Sequence, residues 1–342
     1  MKYFIFLTAI IMTLYTLGFL KQTPSFEWMD RQYTTTLKGI GILTIVWAHS
    51  GAKLGVGGIQ FIAGVGVSLF LICSGYGLEK SYMKNGLGNF WTKRLLGICI
   101  PFWFIELIGL LLTGSFSLQV YLKDFFFIKP ATAYGWYMGY IIICYLIFYI
   151  SNRISCSKKY SDFILIAMFI VWFILDSIFM ANPEMPFLKA RQILCFPCGV
   201  LIAKYKDVLS VWLSKKKCSL IFVGGGTTCL LFMVITQFDM VKNLPYLVSN
   251  TMALMTCFPM ALGIIAFGKS FRIMFENKML IVIGKISYEL YLVHTFTLGM
   301  IRPSVISILV FVVVTITLAY VTYFTIGKMI NEKFNNYYSH KE

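Results

Sequence analysis

Eleven apolar runs, most of them close to the roughly 20 residues that a helix needs to cross a bilayer, constrain this chain more than any single motif in it. Broken only by charges, they lie near 3–20, 37–53, 59–78, 95–113, 136–150, 162–180, 187–204, 219–237, 246–268, 279–300 and 303–327. In lipid every backbone N–H and C=O must find its partner inside the protein, so only helices and closed barrels span. The runs lack the ~10-residue polar alternation of an outer-membrane barrel. With 58% hydrophobic residues, 13% charged and a mean hydropathy of +0.78, the expected fold class is all-α, a polytopic membrane helix bundle. The first run is expected to be a retained helix: its apolar stretch is long, only Lys2 precedes it, and no small-residue cleavage site stands near Lys21.

A formal charge of +16 would suit a nucleic-acid binder, but the basic residues cluster in short loops between spans, so no nucleic acid is expected. Alternate loops differ sharply: one side holds 21 of the 30 Lys and Arg, the other 8, and Lys285 falls inside a span. The rich side is expected to be cytoplasmic, which makes this a multi-pass cell-membrane protein with a cytoplasmic C-terminus. Loops 114–135 and 181–186 then face outward, where an external substrate approaches. No loop is long enough for a soluble domain. Five of the nine cysteines, Cys73, Cys99, Cys144, Cys229 and Cys257, sit in apolar runs, where a thiol behaves as a small hydrophobe. Cys195 and Cys198 form a CxxC without a second pair or a nearby His, so neither metal nor redox chemistry is expected there.

Polar groups kept at membrane depth are costly and point to function. His49 lies near the middle of such a run, eleven residues after Lys38. At 100° and 1.5 Å per residue the two share a helix face, roughly 16 Å apart along the axis. Lys38 at one end suits an anionic group, and His49 in the interior suits proton transfer; a snorkelling lysine and a histidine satisfied by a neighbouring helix fit the same spacing. In Gly284–His294, Ser287, Tyr291 and His294 fall at i, i+4 and i+7 and line one stripe, which serves an active site or interhelical polar contact equally. The segment 64–77 combines small residues for close packing with the hydroxyls of Ser68, Ser74 and Tyr76. Lys93 and Arg94 stand at the entrance of the next span, as topology signals or phosphate ligands. Glu106, Asp176 and Glu289 are acids inside spans and need a partner or water, and Arg191 either snorkels or meets an anionic acceptor.

Four of these stretches, in this order, resemble the acyltransferase 3 family of integral membrane acyltransferases: Lys38 with His49, the segment Gly66-Val-Ser-Leu-Phe-Leu-Ile-Cys-Ser-Gly-Tyr76, the basic stretch running into Pro101, and Ser287-Tyr-Glu-Leu-Tyr-Leu-Val-His294. The likeness implies ten core transmembrane helices over 37–327. Residues 1–36 would be an added N-terminal transmembrane helix with its connector, and 328–342 a cytoplasmic tail. It implies an acyl-CoA donor, in the main acetyl-CoA, drawn from the cytoplasm, no metal, and a hydroxyl of a surface polysaccharide or lipid-linked sugar as acceptor. His49 would be the general base, helped by His294, Ser287 and Tyr291, while Lys38, Lys93, Arg94, Ser74 and Tyr76 would hold the donor. The family often has Arg where this chain has Lys38, and a second Arg where this chain has Gly97. Lys keeps the charge but loses bidentate phosphate geometry. The competing class is a transporter or flippase of a lipid-linked saccharide, in which buried acids and histidines relay protons.

Overall fold

The computed structural model describes residues 1–21, 23, 25–155, 158–179 and 190–328. The loop at 181–186, the start of the span expected at 187–204 and the tail beyond Lys328 lie outside the described residues. Among those described, the secondary structure is helical, as a chain with this apolar content requires.

Thirteen helices carry the architecture. They are α1 (Lys2–Leu20), α2 (Arg31–Lys53), α3 (Phe61–Asn85), α4 (Phe90–Leu112), the short α5 (Leu118–Phe125), α6 (Trp136–Ile154), α7 (Lys158–Phe179) and α8 (Cys195–Lys204). Then follow α9 (Lys215–Ile235), α10 (Tyr246–Ser270), α11 (Lys278–Lys285), α12 (Ser287–Thr297) and α13 (Val305–Thr322). Among the described residues, eight helices are long and apolar enough to cross a membrane by themselves, nine if α11 and α12 count as one bent span. The 23-residue α2 is not in that set, because its threonines, Lys38, His49 and Ser50 dilute its apolar character. The protein is a multi-pass helical membrane bundle.

Helices α2 and α3 form its centre: α2 packs on α3 and α11, α3 on α8, and α12 on α13, α4 and α2. Small residues set these crossings. A Cβ on Gly39 would run into the carbonyl of Leu280, and one on Gly284 into that of Thr35, so α2 and α11 touch backbone to backbone. Where lipid removes the hydrophobic drive between helices, such close approach supplies the dispersion and weak hydrogen bonding that hold them together. Asp30 caps α2 by accepting from the Tyr33 N–H at 2.7 Å, and Asn277 caps α11 by accepting from the Met279 N–H at 2.9 Å. Asn277 also donates to the Tyr15 carbonyl at 2.9 Å, which ties α1 to α11.

Two helices depart from regularity near the centre. Residues Leu95–Cys99 inside α4 form a π-helical turn, and α11 meets α12 at Ile286 with a bend of 74°. Buried charge is paired: Lys204 on α8 bonds Asp162 of α7 and lies 3.9 Å from Glu79 of α3.

Candidate active site

His49 and His294 meet. The Nδ1 of His49 lies 3.1 Å from the Nε2 of His294, the rings are nearly parallel with centroids 5.4 Å apart, and their exposures are 9% and 0%. Helix α2 brings one ring and α12 the other. The Nδ1 of His294 bonds the carbonyl of Tyr291, one turn back on its own helix. That carbonyl can only accept, so Nδ1 of His294 carries a hydrogen. With both rings neutral, Nε2 of His294 is left to accept from the Nδ1–H of His49, and Nε2 of His49 keeps its lone pair. The chain of tautomers is fixed by one backbone oxygen and ends in one unshared base. The two rings bond each other, and the outer nitrogen of His294 bonds a backbone oxygen.

The other face of His49 is covered by Tyr134, stacked at 3.8 Å between centroids. Tyr134 lies in the loop between α5 and α6, and its carbonyl accepts the hydroxyl hydrogen of Tyr291. Tyr291 thus pins the loop that covers the imidazole, and its O–H is already committed.

Two cavities flank this pair. The Lys38 cavity, about 280 Å³, is lined by Lys38, Ser74, Tyr145, Lys285, Ser287 and Glu289, among others. Lys38, Cys73 and Glu289 share its wall. Ser74 hydrogen-bonds the Tyr145 hydroxyl at 3.0 Å. The 74° bend leaves the N-terminus of α12 at this cavity, where the first turn's unpaired N–H groups and the helix dipole favour negative charge. The His49 cavity, about 240 Å³, is lined by His49, Gln60, Tyr134, Trp136, Arg191 and Gln192. Its polar wall is incompletely satisfied: among the described residues, Nε of Arg191 and Oε1 of the buried Gln192 have no hydrogen-bond partner. Val67 and Tyr291 line both cavities and form the partition.

Of the residues singled out in the sequence, His49, His294 and Tyr291 meet at the partition, while Lys38, Ser74 and Ser287 share the Lys38 cavity. Lys93, Arg94 and Tyr76 do not line it. Arg94 stands one ring behind its wall, its guanidinium 5.4 Å from the centroid of Tyr145 and 5.2 Å from that of Phe90. Tyr76 is buried, with the Lys80 ammonium 6.0 Å from its ring. Arg191, ambiguous in the sequence, opens on the His49 cavity. Lys285, Tyr134, Tyr145 and Gln192 were not among the expected site residues; only Lys285, as the basic residue inside an apolar run, carried a signal.

In the last turn of α5, burial pushes the Asp124 carboxyl up to about 6, against the backbone N–H of Ala131, from which it accepts a hydrogen bond.

Residues 26–327 match the family model described as an acyltransferase domain, that of acyltransferase 3. Comparison with curated proteins and with solved structures found no match. The matched region contains both histidines, both cavities and every helix from α2 to α13, and it sets acyl transfer above transport: the chain belongs to the acyltransferase 3 family of integral membrane acyltransferases.

Proposed function

We propose that the enzyme moves an acyl group, acetyl in the first instance, from acyl-CoA on the cytoplasmic side to a hydroxyl of a surface polysaccharide or lipid-linked sugar outside, with His49 as the general base. The observation that carries this reading is the imidazole pair set between a cavity with two lysines and a cavity with a polar wall. The Lys38 end of α2 lies on the side with the basic loops, which orients that cavity toward the cytoplasm and the C-terminus with it.

The donor enters from the Lys38 side. Lys38 and Lys285 are point charges suited to the phosphates of the nucleotide, and Ser74 offers a hydroxyl to the pantetheine arm. Lys93 and Arg94 stand nearer the basic loop and Tyr76 beside Lys80, which suits them to attract the nucleotide before it seats rather than to grip it within the cavity. The thioester then reaches the level of Ile45, one helical turn from His49 and roughly 6 Å along the axis of α2.

The acceptor hydroxyl enters the His49 cavity. Nε2 of His49 removes its proton as the oxygen attacks the thioester carbonyl; the C–S bond then breaks, and His49 returns the proton to the departing thiolate as CoA–SH. While His49 is charged, its Nδ1–H bonds Nε2 of His294, which helps to stabilise the positive charge. Ser287, which opens α12 and lines the Lys38 cavity, would donate its hydroxyl hydrogen to the oxyanion. His294 and Tyr291 are positioning residues, one holding the tautomer of His49 and the other the Tyr134 loop.

The test uses purified protein in lipid nanodiscs with labelled acetyl-CoA and unacylated glycan from cells that lack the protein. His49→Ala is expected to lower acyl transfer by about 10²–10⁴ while the protein remains monodisperse. Full activity in that variant excludes His49 as the base.

A further inference from the structure

Trp136 opens α6 and lines both the His49 cavity and a further cavity of about 110 Å³. Asp124, Phe127, Tyr140 and Trp172 also line this further cavity. It sits where α5, the following loop, α6 and α7 meet, and Ile128 at its lip is 74% exposed. None of its residues takes part in the proton transfer described above.

The chemistry of its walls is uneven in an informative way. Tyr140 and Trp172 pack at 4.7 Å between centroids, and Trp136 meets Tyr140 edge to face at 5.9 Å. Two polar groups interrupt this aromatic wall. Asp124 is 3% exposed, and the hydroxyl of Tyr140, 2% exposed, has no hydrogen-bond partner among the described residues. A buried hydroxyl left unpaired costs about 1–3 kcal/mol, so a group that pairs with it on binding gains what the empty site loses. Phe127, the neighbour of Asp124 in the cavity wall, holds φ at +57°, a left-handed conformation that a bulky residue adopts only when its surroundings impose it. Its ring is fixed by Phe102, stacked at 5.8 Å.

Aromatic faces beside a carboxylate and an unpaired hydroxyl match a sugar ring. Its C–H faces lie against the negative faces of indoles, and its rim hydroxyls donate to a carboxylate and pair with a phenol. A lipid tail would leave the Tyr140 hydroxyl unpaired and set hydrocarbon against the Asp124 carboxyl, at greater cost. Resting on the acyl-transfer reading above, we propose that this cavity is a distal subsite for the acceptor, so that the enzyme binds an oligosaccharide-length glycan across Trp136 with one unit at His49 and another at Asp124 and Trp172. Arg191 and Gln192, with unpaired polar atoms in the His49 cavity, would serve the proximal unit.

The experiment compares acceptors of graded length. Unacylated surface glycan from cells lacking the protein is cut to one, two and four repeat units and offered to the full-length protein in nanodiscs, together with Asp124→Asn and Trp172→Ala. For the native protein kcat/KM is expected to rise at least tenfold from one unit to the longer pieces. Asp124→Asn, a near-isosteric change, is expected to remove most of that rise through KM, leaving kcat/KM for the single unit and the acceptor-independent loss of thioester unchanged; Trp172→Ala should do the same if it assembles. A native rate independent of length, or a loss equal for short and long acceptors in Asp124→Asn, overturns the subsite while leaving the acyl-transfer reading intact. Absence of transfer to every fragment by the native protein overturns that reading, and the subsite with it.

Discussion

At the scale of single residues, the arrangement turns on a carbonyl. Tyr291 offers its backbone oxygen to His294, and this sets the direction of hydrogen bonding through two imidazoles to the lone pair on His49. The prediction is specific to acceptor chemistry. His294→Ala leaves the Nδ1–H of His49 without its acceptor and should lower kcat by roughly 10², whereas His294→Gln, whose amide oxygen can still accept, should retain a larger share. Equal losses in the two variants, measured as kcat at saturating donor, would show that His294 merely fills space. On the donor side, Lys38→Ala should raise the KM for acetyl-CoA about tenfold, in keeping with roughly 1.5 kcal/mol for a hydrogen bond to a charged group, with kcat little changed. An unchanged KM would refute the phosphate role. Both histidines and Lys38 were legible in the sequence because a polar side chain stands out against an apolar run. Tyr134, Gln192 and Asp124 were not, since a polar residue in or beside a loop is the ordinary case.

The helices show a second kind of information. The stretch 279–300 reads as one continuous apolar span, yet it divides into α11 and α12 with a 74° bend. Gly284 is seated against the backbone of Thr35, and Lys285 and Ser287 both face the Lys38 cavity, so the chain turns where packing and water meet. Periodicity cannot signal this bend because the residues on either side are equally apolar. The spacing argument for Lys38 and His49 works better, since a regular helix carries it and both side chains open on cavities of the same bundle. The crossing of α2 with α11 gives a stability prediction. Gly284→Leu should prevent the close approach and abolish a monodisperse peak in gel filtration, while Gly77→Ala, with nothing within 4 Å of the added carbon, should leave elution and melting temperature unaltered. Tolerance of both substitutions would mean that the α2–α11 contact is not limiting for assembly.

For the whole molecule, the proposed mechanism couples orientation to reaction, because in it a donor from one compartment and an acceptor from the other meet at the wall of Val67 and Tyr291 that both cavities share. Charge asymmetry predicts the sense: reporters inserted after Ser214 should read as cytoplasmic, and reporters after Asn243 as external. The reverse pattern would exchange the entrances of donor and acceptor. The sequence by itself determined the solvent in which the chain folds, the helical class, the order of its spans and the presence of costly polar groups within them. These are local properties, carried by run length, composition and a helical period of 3.6 residues. Only the tertiary structure decided that His49 faces His294, that Tyr134 closes over them, and that two cavities share a thin wall beside this pair. Those outcomes depend on how closely glycine-lined helices cross and on where loops fold back, and such contacts between distant residues leave no periodic trace in the chain.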